Sequence, residues 1–370
     1  MVSVTEQTPQ RAGRRKFHTG FDRFSGLYLW ALFIIVFGIW VPNEFLTTST
    51  LHSVAAQQAV TGMVALAVLI PLSAGLYDLS VGATANLSGI LTVVLLNNHH
   101  WGVVPAILAG IVCGMAVGVV NSLVIVKLGV NSFIATLGMS SILSAMLVIV
   151  SSNSQPLPPT STAWNNFTQT TIAGFQIVVL YLIILGFILW WLLAHTPVGR
   201  YLYAVGGNTE AARLSGVRIN RWSTCSLLIS ATIAGLAGVM FSSLNGPSLN
   251  FGPTLLLPAF AAAFLGSTQL TPGRFNVWGT LLAIYVLATG VQGLQLVSGA
   301  SWLSDMFNGV ALIVAVALSI KRSPSVLGQR LRARLRRGGS TPLGGEPGST
   351  GPGDLDPGAT ASSRAGSGPS

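Results

Sequence analysis

The chain has 370 residues, 51% hydrophobic and only 8% charged, with a formal net charge of +10 at pH 7. A soluble domain carries about a quarter charged residues, so an ordinary water-facing surface is excluded. A membrane β-barrel is excluded as well, because its segments of about ten residues alternate polar with apolar, whereas the apolar runs here are long and continuous. The class is therefore an all-α polytopic membrane protein.

The chain opens with a basic segment, residues 1–26, that includes "RAGRRKFHTGFDR". Basic clusters beside membrane spans set orientation, and that reading is preferred here to nucleic-acid binding. The first apolar run starts near Leu27, is about as long as a span and ends without a small-residue cleavage site, so it does not read as a cleavable signal.

Runs long enough to cross a bilayer, about 17–25 residues, follow at 27–45, 53–74, 78–97, 103–126, 132–151, 176–194, 223–244, 254–270, 277–297 and 303–320. These predict about ten transmembrane helices in a domain over 27–322. With a cytoplasmic N-terminus, alternation puts 75–77, 127–131, 195–222, 271–276 and the C-terminal tail inside. Those segments hold Lys127, Arg200, Arg213, Arg218, Arg221, Arg274 and Lys321. The outside segments 46–52, 98–102, 152–175, 245–253 and 298–302 hold no lysine or arginine. This charge asymmetry predicts that both termini are cytoplasmic.

Between Phe45 and Ser304 the acids are Asp78 and Glu210, and of these Asp78 alone is embedded among the spans. A charge at that depth costs about 2.5–3.5 kcal/mol on insertion scales, so it needs a role. In "YDLSVG" it can cap the third helix by accepting from free amides. It can also begin a polar stripe, since Asp78, Gly82, Asn86, Gly89 and Thr92 share one helical face. On the second reading Asp78, Ser80 and Asn86 line a solute route. In the next span Gly110, Gly114 and Gly118 recur every four residues, a stripe that lets helix backbones approach closely.

His99 and His100 sit in a short turn before Trp101, which reads as an interfacial turn and not a metal site. The outside connection 152–175 is polar but holds Trp164 and Phe167, which are expected to rest on the membrane surface or on a partner. Cys113 and Cys225 both lie within apolar runs and read as small buried residues, with no structural disulfide.

The stretch "TPVGRYLYAVGGNTEAARLSGVRINR", Thr196 to Arg221, interrupts the apolar pattern with five charges, four of them arginines. A plain connection between spans needs only a few residues. Asn208 or Thr209 can cap a helix start, Glu210 falls in its first turn, Arg213 in its last, and Gly216 supplies a left-handed C-terminal residue. A helix of two turns is not stable alone in water, so neighbours or a partner must hold it. Beyond residue 322 the chain is basic and then rich in Gly, Pro and Ser. The part after about residue 338 has almost nothing to bury and is expected to be disordered. No phosphate-binding loop, zinc-ligand pattern or nucleophile elbow is present, so catalysis is not expected.

"GRYLYAVGGNTEAARLSGVRINR" resembles the coupling loop of ATP-binding cassette (ABC) importer permeases, most closely the ribose/xylose/galactoside type. "GLYDLSVGATANLSG", "GVNSFIATLGM" and "FLGSTQLTPGRFNVWGT" match the same family in the same order, over about residues 50–320. The chain departs from the family pattern at Leu76 and Tyr77, and at Ser267, Pro272 and Asn276, where relatives commonly carry other residues. The resemblance implies a permease in the cell membrane that pairs with a second permease subunit. It further implies two ATPase subunits, an extracytoplasmic solute-binding protein and a sugar-like small solute. ATP would be used by the partners, and no cofactor would be bound by this chain. Gly207, Asn208, Thr209, Glu210, Ala211, Ala212, Arg213, Leu214 and Gly216 would form the segment seated against an ATPase. Two other readings stay open at this point: an ion-coupled transporter using Asp78, and a membrane scaffold that moves nothing.

Overall fold

The computed structural model describes residues 24–300 and 302–322. The basic segment 1–26, apart from its last three residues, and the tail 323–370 with its expected disorder lie outside the described residues.

All ten apolar runs are helical. In chain order the elements are α1 (Ser25–Trp40), α2 (Pro42–Phe45), α3 (Thr48–Ser73), α4 (Val81–Asn97), α5 (Val103–Ser122), α6 (Ser132–Val150), α7 (Thr162–Gln169), the strands β1 (Thr171–Ile172) and β2 (Phe175–Gln176), α8 (Ile177–His195), α9 (Pro197–Gly207), α10 (Thr209–Leu214), α11 (Ile219–Asn245), α12 (Phe251–Ser267), α13 (Val277–Ser298) and α14 (Trp302–Arg322). Seven of them, α3, α5 with its π-helical extension to Lys127, α6, α8, α11, α13 and α14, are long and apolar enough to cross a membrane. α1, α4 and α12 are apolar but have only 16 or 17 residues, about 25 Å of helix at 1.5 Å per residue. The chain is a multi-pass membrane protein.

The boundaries differ from the sequence reading where local chemistry decides. The first run, 27–45, is two helices, because Pro42 cannot continue α1 and instead starts α2. α3 starts earlier than expected because Thr47 caps it, accepting from the Thr50 N–H at 3.1 Å. α4 starts at Val81, not at residue 78, so the connection from α3 runs over residues 74–80.

α3 lies at the centre, with every residue from Ala59 to Ser73 buried. It packs on α11, α12, α13 and α8, and α11 also packs on α4 and α5. In lipid this packing gains little from the hydrophobic effect, so small residues and close contact carry it. The peripheral helices show the complementary pattern. In α8 the buried residues Val178, Leu182, Gly186, Leu189 and Leu193 form one stripe, while Ile183, Ile184, Phe187, Ile188 and Trp191 are exposed. A helix apolar all round with one face outward suits hydrocarbon as its surroundings.

The connection 152–175 is more ordered than expected. It contains α7 and the short β1–β2 hairpin. Trp164 is 1% exposed and packs with Val93 and Val239, so the chain's own core takes this indole in place of the expected membrane surface or partner. The Trp164 carbonyl accepts from Ser243 Oγ at 2.8 Å, and Gln169 Nε2 donates to the Ser243 carbonyl at 3.0 Å. These bonds tie α7 to the end of α11.

Contacts between connections fall into two sets. At one end of the bundle the Tyr77 N–H donates to Ser132 Oγ at 3.1 Å, the Tyr203 hydroxyl donates to the Phe275 carbonyl at 2.5 Å, and Gly75 meets Gly206. At the other end Asn97 Nδ2 donates to the Leu157 carbonyl at 2.8 Å, Gln155 Nε2 donates to the Pro247 carbonyl at 3.0 Å, and the His52 and Phe175 rings lie 4.5 Å apart.

Candidate functional site

The polar stretch after α8 is almost wholly helical. Pro197 begins α9, and Gly199, Leu202 and Val205 form its buried side. Tyr201 stacks on Trp222 of α11 with ring centroids 4.8 Å apart. α10 follows directly. Asn208 is its N-cap, with its side chain accepting from the Ala211 N–H at 3.0 Å. Glu210 lies in the first turn and Arg213 in the last. At the far end the Gly216 N–H donates to the Arg213 carbonyl and the Val217 N–H to the Ala212 carbonyl, each at 3.0 Å. Gly216 has φ +79°. This is the Schellman arrangement, which needs a residue without Cβ strain at that position. Glu210 and Arg213 approach to 3.7 Å on an exposed surface, a contact that contributes little to stability.

α10 is six residues long and buries only Ala212. Thr209, Ala211 and Gly207 are exposed, and Leu214 is 88% exposed. The segment is capped at both ends and leaves its outer surface, including the apolar Leu214, exposed.

Its inner anchor is the last turn of α9. A Cβ on Gly206 would collide with the Ser73 carbonyl oxygen and come within 2.9 Å of the Gly75 nitrogen. Gly75 has φ +76° and begins the link toward Asp78. The Gly206–Gly75 contact therefore joins the base of α10 to the α3–α4 connection.

That connection is held by a buried polar cluster. Asp78 Oδ1 accepts from the Ser80 N–H at 3.1 Å and from Ser80 Oγ at 2.6 Å, and Ser230 Oγ of α11 donates to Asp78 Oδ2 at 3.3 Å. Asn121 Nδ2 of α5 donates to Ser80 Oγ at 2.8 Å. All four residues are buried. A buried carboxyl is tolerated in an apolar interior when its hydrogen bonds are made; both Asp78 oxygens have donors, while Asn121 Oδ1 has no partner. The expected capping of α4 by Asp78 takes another form. Ser80 occupies the N-cap position and the Asp78 carboxyl closes a turn just ahead of the helix, because the extra residues of the 74–80 link push the helix start to Val81.

The expected polar stripe of α4 is mostly a packing surface. Gly82 lies against the Gly252 carbonyl, and Gly89 against the Gly238 carbonyl. Thr92 donates to the Ser88 carbonyl of its own helix at 2.8 Å. Gly110, Gly114 and Gly118 of α5 face α11 and α4: a Cβ on Gly114 would come within 2.5 Å of the Ala231 carbonyl oxygen, and one on Gly118 within 2.9 Å of the Ala231 Cβ.

One part of the stripe does open onto space. A cavity of about 320 Å³ lies between α4, α6 and the start of α12, lined by Gly82, Asn86, Ser140, Ser144 and Asn250 among apolar residues. Asn86 is buried; its Nδ2 donates to the Leu249 carbonyl, while its Oδ1 has no partner. Asp78 and Ser80 do not line this cavity, so the three residues expected along a solute route are divided, with Asn86 at the cavity and the other two behind it. Ser140 and Ser144 were missed by the sequence reading, although their spacing of four in an apolar run marks one helical face. Asn121 and Ser230 were also missed. They are polar residues in distant spans, and nothing in the sequence joins them to Asp78. Among the described residues no group of three or more His, Cys, Asp or Glu side chains stands together.

Residues 50–316 match the family described as branched-chain amino acid transport system / permease component. The chain is 27% identical to the D-allose transport system permease protein of Escherichia coli K12, covering 86% of this chain and 98% of that protein. It is 31% identical to the ribose import permease protein of Bacillus subtilis 168 (79% of this chain, 91% of that one). It is 29% identical to the fructose import permease protein of Rhizobium meliloti (79% and 83%). No solved structure gives a significant match.

Proposed function

The chain belongs to this family of transport-system permease components, within its sugar ABC importer permeases, and on that premise we propose that it is the transmembrane subunit that moves a neutral, sugar-like solute into the cytoplasm. It sits in the cell membrane with ten crossings and both termini cytoplasmic. The charge asymmetry of the connections and their grouping into two contacting sets support that topology. It pairs with a second permease subunit. Separate ATPase subunits supply the energy and an extracytoplasmic solute-binding protein supplies the solute. The chain itself performs no catalysis and holds no cofactor.

The observation that carries this reading is the joint between α10 and the α3–α4 link. The segment Gly207–Gly216, built around α10, seats against an ATPase subunit with Leu214, Glu210 and Arg213 outward. Closure of the ATPases displaces α10. The Gly206–Gly75 contact passes the displacement to the link that carries Asp78 and Ser80. From there it reaches the base of α4, whose Gly82 and Asn86 border the cavity. Coupling of this kind needs a packed element that both sites bias, and the buried Asp78–Ser80–Asn121–Ser230 cluster makes the link rigid enough to serve. The cavity suits the solute chemically: its polar groups are uncharged amides and hydroxyls between apolar walls, which match a polyol without favouring an ion.

The test is uptake of labelled ribose, allose and fructose into vesicles holding this chain, its ATPase subunits and its solute-binding protein. Uptake of at least one sugar is expected to require ATP. Glu210→Lys, which puts a cation at the positive end of α10 and against the docking surface, is expected to reduce uptake about tenfold or more at unchanged abundance. Uptake that continues without ATPase subunits, or that Glu210→Lys leaves intact, would overturn the proposal.

A further inference from the structure

A second cavity, of about 480 Å³, opens at the same end of the bundle as α10, where α8 ends and α13 begins. Its lining includes Arg200 and Tyr203 of α9, Arg274 of the α12–α13 connection, Trp190 of α8 and Trp278 of α13. The Arg274 guanidinium lies 4.1 Å from the Tyr203 ring centre, and the two indoles are 6.4 Å apart. No carboxylate lines the cavity, and neither arginine is in an ion pair among the described residues. Nothing in the proposed transport path uses this pocket.

We propose that it binds the phosphate headgroup of an anionic membrane lipid. Charges that only set orientation need no common target, yet these two arginines converge on one cavity from elements 74 residues apart in sequence. The cavity sits at the ends of α8 and α13, both long enough to span, and so at the level where hydrocarbon gives way to water. Paired tryptophans are the side chains favoured at that level, and basic pockets between spans suit anionic headgroups. The Tyr203 ring holds Arg274 by a cation–aromatic contact, and the Tyr203 hydroxyl is fixed by the Phe275 carbonyl, so the pocket is formed before a lipid arrives. Beside the pocket α8 turns Phe187, Ile188 and Trp191 outward, giving the acyl chains an apolar surface continuous with the site. Because Arg200 and Tyr203 lie on α9, an occupied pocket would brace the helix that carries α10.

The experiment uses the full chain purified from membranes containing phosphatidylglycerol and phosphatidylethanolamine. Native mass spectrometry counts the lipids retained, and thermal unfolding is followed in phosphatidylcholine vesicles with and without phosphatidylglycerol. The parent is expected to retain phosphatidylglycerol and to be stabilised by it. Arg200→Gln with Arg274→Gln should retain about tenfold less, because two basic groups act together at an anionic surface. Arg200→Lys with Arg274→Lys should keep much of the retention. Equal retention by the parent and the glutamine variant would overturn the proposal. So would stabilisation of the parent by inorganic phosphate alone to the same extent, which would mark a soluble-anion site. The proposal would also fall if the glutamine variant kept its lipid but lost the ATPase subunits, since the pocket would then be a protein-docking surface.

Discussion

Gly75 and Gly206 meet backbone to backbone: a Cβ on Gly75 would lie 3.2 Å from the Gly206 Cα, and one on Gly206 would run into the Ser73 carbonyl. Two segments 131 residues apart thus touch with no side chain between them, so little slack is available to absorb a displacement. Close packing of this kind transmits strain, and here it connects the exposed helix α10 to the polar cluster around Asp78.

The cavity residue and the residues behind it should respond differently to substitution. Asn86→Ala removes the unpartnered amide oxygen from the cavity and should raise the KM for solute several-fold while abundance is kept. Asp78→Ala removes the acceptor used by the Ser80 N–H, Ser80 Oγ and Ser230 Oγ. It should cost about 1–3 kcal/mol of stability and, by loosening the link, slow uptake per folded molecule while leaving the KM for solute unchanged. Asp78→Asn keeps an acceptor and should be milder. Solute titration of uptake per folded molecule separates the cases, and an unchanged KM in Asn86→Ala would remove Asn86 from the solute path.

The glycine stripe of α5 should tolerate no side chain. Gly114→Ala places a Cβ within 2.5 Å of the Ala231 carbonyl oxygen and 2.9 Å of the Gly235 Cα, and overpacking of that kind costs about 1–3 kcal/mol. Gly138 of α6 faces open space, so Gly138→Ala should be neutral or slightly stabilising through helix propensity. Thermal unfolding of the two variants in the same vesicles checks the contrast.

Sidedness is open to direct labelling. In a background without Cys113 and Cys225, Thr160→Cys should react with a membrane-impermeant maleimide on intact cells, and Ala211→Cys only after the cells are opened. Both positions are exposed, so access is decided by the membrane. The opposite labelling would invert the topology.

Much of the architecture was legible because a bilayer permits few choices. Hydropathy located all ten apolar helices, and the cap residues Asn208, Glu210, Arg213 and Gly216 marked α10. α9 went unread, although Thr196-Pro197 is a helix start and Gly199, Leu202 and Val205 form one buried side, because its three glycines, Gly199, Gly206 and Gly207, read as breaks in a helix. The burial of Trp164 was also missed, since an indole in a polar connection looks the same whether it meets lipid or its own core. The partners of Asp78 were out of reach for a different reason. Asn121 and Ser230 act through proximity, and one sequence carries no record of proximity between distant spans.

The central claim is that α10 drives the solute path through Gly206, and its neighbour Gly207 offers a matched control. A Cβ at Gly207 meets nothing within 4 Å, whereas one at Gly206 collides with Ser73 and Gly75. The measurement is ATP-dependent uptake per assembled complex in vesicles, with ATP hydrolysis followed in parallel, for Gly206→Ala and Gly207→Ala. The account predicts that both variants assemble with the ATPase subunits and that Gly207→Ala transports like the parent. Gly206→Ala should hydrolyse ATP but move solute about tenfold more slowly, a loss of about 1.4 kcal/mol in coupling. Parent-level uptake by Gly206→Ala would contradict it.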